Sequence, residues 1–194
     1  MKTSGKILAN LLLDKLESAG YQLSVNGLIR QCEGVCSVIE FTRNKHRSAS
    51  GYPSFAIDIG ISINLIRAFE GYDSIIPVTV QECHWIERLM KAENSDQFWI
   101  VATDASSIEM AIQTVADLVA TMEVFSRPPQ DFVVSNWQKL SSPGITEYQR
   151  VKYLSIVLSQ KNDPLGNVYL DMLKDMDRKM GINDAVLYDK INSL

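Results

Sequence analysis

The chain has 194 residues, 46% of them hydrophobic and 22% charged, and a formal net charge of -4. That is a globular composition, long enough to bury its own core, and it excludes the disordered and collagen-like classes. The acidic balance argues against nucleic acid as a partner.

The apolar run Leu11 to Leu13 is interrupted at once by Asp14, Lys15 and Glu17. It is too short for a signal-peptide core, and no stretch approaches the roughly 18 apolar residues of a membrane span, so a soluble, cytoplasmic protein with no membrane partner is expected. Cys32, Cys36 and Cys83 are an odd set of thiols, which argues against a secreted disulfide framework. With only His46 and His84 as histidines and no second Cys/His pair at ligand spacing, neither a metal nor another cofactor is expected.

In chain order, Ile7, Leu8, Leu11, Leu12 and Leu16 recur at helical spacing, with Thr3 or Ser4 as cap and Gly20 beyond the end. Tyr21, Leu23 and Val25 then alternate with polar residues. Asn26-Gly27 signals a hairpin whose returning strand is Leu28 to Cys32, and Glu33-Gly34 turns the chain again into Val35 to Arg43. The result is a three-strand meander. With Glu33 and Gly34 as the loop, Cys32 faces Val35 and Gln31 faces Cys36, which places Cys32 and Cys36 on opposite sheet faces, unable to share a metal or a disulfide.

Phe55, Ile57, Ile59, Ile61 and Ile63 alternate with Ser54, Ala56, Asp58, Gly60 and Ser62, the clearest period-two pattern in the chain and the mark of a central strand. Before it, Asn44 to Pro53 makes a loop longer than the roughly 2 to 5 residues usual for a hairpin. Val78 and Val80 begin another extended segment, and Gln97 to Ala102 reads as a buried strand. Between them Gln81 to Asn94 fits either a helix through Ile86, Leu89 and Met90 or a strand through Cys83, Trp85 and Glu87.

Ser106-Ser107-Ile108-Glu109 has the form of a capping box, and the apolar stripe behind it predicts a long helix ended by Pro128-Pro129. Gln130 to Pro143 reads as a loop. Tyr148, Val151, Leu154 and Leu158 mark a further helix, and Asp163-Pro164 opens another that runs to Gly181. The predicted fold is α+β: an antiparallel β-meander packed by an N-terminal helix and a long helix after the last strand, with a C-terminal helical extension. The predicted divisions are an α+β domain over 1–128, a linker over 129–145, and a helical extension over 146–194 that docks on the domain or on a partner.

Two segments offer chemistry. Cys83 beside His84 suggests a nucleophile and base, since an imidazole that lowers a thiol's pKa activates it, although adjacent side chains diverge in both strand and helix. His84, Glu87, Arg88, Cys83 and Trp99 together form a candidate polar site in which Arg88 would grip a carboxylate or phosphate in a forked geometry. Against this stand a buried cysteine, a surface ion pair and a core tryptophan. Arg43, Lys45, His46 and Arg47 form a candidate anion-binding loop: residues 1–50 hold seven Lys/Arg against four Asp/Glu, whereas residues 51–150 hold six against thirteen. A solvated turn accounts for the same cluster. No phosphate loop, dinucleotide fingerprint, zincin motif or nucleophile elbow is present, so no catalytic residue is assigned.

Taken together, Gly20-Tyr21, Val38-Ile39-Glu40-Phe41-Thr42-Arg43, Phe55-Ala56-Ile57-Asp58-Ile59-Gly60, Glu82-Cys83-His84, Arg88-Leu89 and Asp96-Gln97-Phe98-Trp99 resemble the bacterial domain of unknown function 4304 family over about Lys6 to Arg127. The chain departs from that pattern at Glu40 and Thr42, where asparagine and glutamine are common, at Asp58, where asparagine is, and at Phe98, where a tryptophan pair is usual. The resemblance implies a fold unit and a bacterial origin, and it supplies no activity. The expected function is a small bacterial binding or protein-interaction module, an immunity-like role being one version. Its partner would be another protein or a second copy met through the C-terminal helices, with room for a small anionic ligand. The alternative is an enzyme with a polar cleft around Cys83, His84 and Arg88.

Overall fold

The computed structural model describes residues 3–32, 34–44, 54–72, 76–77, 79–88, 99–100, 109, 129–139 and 145–194. Helix α1 covers Thr3–Leu16 and tightens into a 3-10 turn, Glu17–Ala19, which Gly20 ends at φ 84°, a left-handed conformation that suits glycine. Strands β1 (Gln22–Leu23), β2 (Gly27–Cys32), β3 (Val35–Asn44) and β4 (Ser54–Ile63) follow as an antiparallel meander. The β2–β3 register sets Gln31 opposite Cys36 and Cys32 opposite Val35, the pairing read from the Glu33-Gly34 turn. The two cysteines therefore lie on opposite faces.

Because β3 pairs along the whole of β4, strands β5 (Trp85–Arg88) and β6 (Trp99–Ile100) share the other edge of β4. β5 lies against Asp58 to Ile61 and β6 against Ser54 and Phe55. Of the stretch Gln81 to Asn94, Trp85–Arg88 is a strand, and Leu89 to Asn94 lie outside the described residues. Val80 does not extend a strand: Val80–Glu82 is a 3-10 turn. The long helix expected after the last strand lies outside the described residues apart from Glu109, which is helical.

Period two divides the sheet. Val35, Ile39, Phe41, Ile57, Ile59, Ile61 and Ile63 face the main core, where Leu12 and Leu16 of α1 meet them. Burying each such side chain contributes about 1.5 to 3 kcal/mol. Helix α2 (Asn64–Glu70) leaves β4 directly and adds Ile66.

Residues 129–138, expected to lie in a linker, form helix α3 (Pro129–Gln138), which buries Val133 and Trp137 in the same core. Proline stops a helix that precedes it, yet its fixed φ and missing N–H suit the first turn of the next one. Helix α4 (Glu147–Gln160) begins at a Thr146–Gln149 capping box. It sends Tyr153, Leu154, Val157 and Leu158 into the main core. Its other side, through Val151 and Ile156, meets Leu170 and Leu173 of α5 (Leu165–Met180) and Ile191 of α6 (Ala185–Asn192). Tyr188 of α6 donates to buried Asp177 of α5 at 2.7 Å and pins the last helix. The architecture is α+β with helices at both ends, and among the described residues no helix is long and apolar enough to cross a membrane.

Candidate functional site

The second face of the sheet carries its own small core of Cys36, Val38, Val80 and Cys83. Gly60 makes it possible. A Cβ on Gly60 would stand 2.6 Å from Cys83 Sγ and 2.9 Å from Cys83 Cβ, so only a bare backbone admits the Val80–Glu82 turn this close to β4. Glu40 Oε2 accepts from the Val80 N–H at 3.0 Å, and Arg67 donates to the Glu82 carbonyl at 3.1 Å while stacking over Tyr72. The turn is therefore held at both ends.

Cys83 points into this second-face core. Its thiol donates weakly to the Thr79 carbonyl at 3.8 Å, and burial pushes its pKa well up, away from thiolate chemistry. Cys36 beside it is raised to about 11 for the same reason.

His84 joins a different set of residues. Its backbone N–H continues the ladder to the Ile61 carbonyl at 3.0 Å, and its Nδ1 accepts from the Ile63 N–H at 2.8 Å, so the imidazole stands in for a strand carbonyl. Nδ1 is thereby fixed as the bare nitrogen, which leaves the proton on Nε2. Nε2 lies 3.9 Å from Glu70 Oε2, and the ring edge meets Tyr153 of α4. Glu70 also accepts from Lys152 at 3.0 Å and from the Tyr153 hydroxyl at 3.3 Å. Burial, then the charges of Arg67 and Lys152, lower His84 to about 3, so it is neutral and its approach to Glu70 is not an ion pair.

Across β3, β4 and β5 runs a polar row. Glu40 stands opposite Asp58, and Asp58 opposite Arg88. Arg88 grips buried Asp58 with two prongs, Nε to Oδ1 at 2.7 Å and Nη2 to Oδ2 at 3.0 Å, and that bond raises the Arg88 pKa. The forked edge expected to take a ligand anion is occupied by the protein's own carboxylate. Glu87 lies on the opposite face, across from Ile59, half-buried, and burial raises its pKa.

The sequence-predicted polar site is thus divided. Cys83 and Arg88 belong to the second face, Glu87 to the face of the main core, and His84 to the corner between α2 and α4. Trp99 is placed by its backbone in β6, opposite Phe55. Of the anion-binding loop, Arg43 ends up in β3 opposite Phe55, and Lys45, His46 and Arg47 lie outside the described residues. Among the described residues no group of three His, Cys, Asp or Glu side chains is placed to hold a metal.

Sequence reasoning missed Arg67, Glu70, Lys152 and Tyr153, which are joined only by folding. Asp58 had a signal, a carboxylate in the middle of the most apolar strand, which demands a buried partner. Comparison of the chain with family models, curated proteins and solved structures finds no match.

Proposed function

We propose that this chain is a cytoplasmic bacterial protein-interaction module, built on the fold unit that its likeness to the domain of unknown function 4304 family implies, and that it acts by binding through its C-terminal helices. The observation that carries this reading is the outer side of α5. Leu165, Val168 and Met172 recur there at helical spacing and are 41 to 53% exposed, while Leu170 and Leu173 fix the other side of the helix in the core. An apolar stripe on a helix so firmly held is a contact surface rather than a loose end, and methionine suits an adaptable one. The division between Cys83 and His84 supports binding over turnover, since a nucleophile and its base must converge. An immunity-like role is one form of this reading.

Affinity capture from the native host tests it. Wild-type chain is expected to recover the same protein reproducibly, and a Val168→Glu variant to lose it while keeping the wild-type melting temperature. Chain that recovers nothing and turns over a small molecule would overturn the proposal.

A further inference from the structure

We infer that Asn26 is a site of spontaneous backbone modification. The Gly27 nitrogen closes on the Asn26 side chain, ammonia leaves, and water converts residue 26 to aspartate or isoaspartate, which unpins β1 from the sheet.

Asn26-Gly27 is the chain's one asparagine followed by glycine. The Ser24 N–H donates to the Gly27 carbonyl at 2.9 Å and Leu23 stands opposite Leu28, so the loop between β1 and β2 is Val25 and Asn26. Two-residue loops fit the twist of a hairpin best with φ positive at one or both central residues. Here neither has it, Asn162 being the only non-glycine residue with positive φ among those described. The reciprocal bond, from the Gly27 N–H to the Ser24 carbonyl, is not formed among the described residues. Val25 is 72% exposed, Asn26 is half-buried, and among the described residues the Asn26 carboxamide has no hydrogen-bond partner. The loop is thus open around both reacting groups.

The fold itself demands the glycine. A Cβ on Gly27 would stand 1.9 Å from the Ile39 carbonyl oxygen, so β2 can lie this close to β3 only through a bare backbone. The same missing side chain leaves the Gly27 nitrogen unshielded. That nitrogen gives its proton to water and attacks Asn26 Cγ; the Cγ–Nδ2 bond breaks and ammonia departs, leaving a five-membered succinimide. Water then opens either carbonyl, giving aspartate or isoaspartate with no oxidant or reductant. Closure requires Asn26 ψ to turn against two bonds, Phe41 N–H to the Asn26 carbonyl at 3.2 Å and Ser24 N–H to the Gly27 carbonyl. β1 pairs through only Gln22 and Leu23, and so short an edge opens locally at little cost while fully buried Leu28 stays in place. Isoaspartate carries the main chain through the side chain and lengthens it by a methylene, which displaces both bonds.

Peptide mapping of the full native chain, held for weeks at physiological pH and temperature, tests this. The peptide carrying Asn26 is expected to lose its unmodified form and give two products of equal mass, ahead of Asn94-Ser95 and Asn192-Ser193, where the next residue is also small. Isoaspartyl methyltransferase with labelled S-adenosylmethionine should label the aged chain. Asn26→Gln, whose larger ring closes far more slowly, should lose that label and keep the wild-type melting temperature. In aged chain the Ser24 and Phe41 amides should exchange with deuterium faster, with the β3–β4 ladder unchanged; equal exchange before and after ageing would overturn the unpinning of β1. Folded chain that keeps Asn26 intact while urea-unfolded chain converts it would overturn the proposal, because the hairpin would then hold the two groups apart. Label retained in Asn26→Gln, conversion led by Asn94 or Asn192, or aspartate without isoaspartate would overturn it equally.

Discussion

Asp58 on β4 and Arg88 on β5 face each other across the ladder and share a two-pronged ion pair in which the carboxylate is buried and the guanidinium side chain is 39% exposed. The arginine serves the fold first: it neutralises a charge that the second face would otherwise hold at high cost. Arg88→Ala should therefore destabilise the protein by about 1 to 3 kcal/mol, the lower part of the range for a broken pair because water reaches the arginine side. Asp58→Asn added to Arg88→Ala should recover part of the loss, since no unpaired charge is left behind. Urea unfolding of the two variants measures this, and an Arg88→Ala variant as stable as wild type would show the pair to be idle.

Gly60 gives a second, steric prediction. Its α-carbon faces Cys83 so closely that an added methyl cannot fit beside Sγ and Cβ. Gly60→Ala should cost about 1 to 3 kcal/mol by overpacking. Cys83→Ala in the same chain should restore some of it by removing the sulfur. Thermal unfolding of both variants is the check, and full stability of Gly60→Ala alone would mean that the Val80–Glu82 turn does not sit on the sheet.

Neutral His84 makes stability depend on pH. The folded value is about 3, against about 6.5 for a free imidazole, so the unfolded chain binds a proton between these values and the folded chain does not. The contribution is complete above about pH 6.5 and is lost as the pH falls toward 3. Between pH 7 and 5 that amounts to about 2 kcal/mol. In His84→Asn the amide oxygen takes the place of Nδ1 as acceptor for the Ile63 N–H, without a titrating group. Denaturation across this range should show a shallower acid slope for His84→Asn than for wild type, and identical slopes would contradict the burial of a neutral imidazole.

How much of this was legible in the sequence depended on whether the cause was local. The Ile57 to Ile63 alternation and the proline that opens α5 each act within a few residues, and each appears where the chain spells it. The first hairpin, by contrast, turns one residue before Asn26-Gly27: the Ser24 N–H bonds to the Gly27 carbonyl at 2.9 Å, Leu23 stands opposite Leu28, and Gly27 already belongs to β2. Helix α3 was hidden because Pro129, read as a stop, is a start, and because Val133 and Trp137 lie in a stretch rich in polar residues. Helix α2 is seven residues long with no side-chain cap, too short to show a period. Tertiary placement was the larger gap. Glu70 meets Lys152 across 82 residues of sequence, so nothing near His84 announces the groups that surround it. Adjacency made Cys83 and His84 look like a pair. The end of β5 turns their side chains into different environments.

The central claim is that His84 is a structural acceptor rather than a base for Cys83, and long-range nitrogen–proton NMR of the imidazoles tests it most directly. His46→Gln leaves His84 as the only histidine and makes the assignment unambiguous. The account predicts one tautomer, with the proton on Nε2 and Nδ1 bare, and no titration from pH 8 down to about 5. A ring that takes up a second proton near pH 6.5, or that carries its proton on Nδ1, would contradict it: the bond from the Ile63 N–H would then be absent, and a base would again stand beside the thiol.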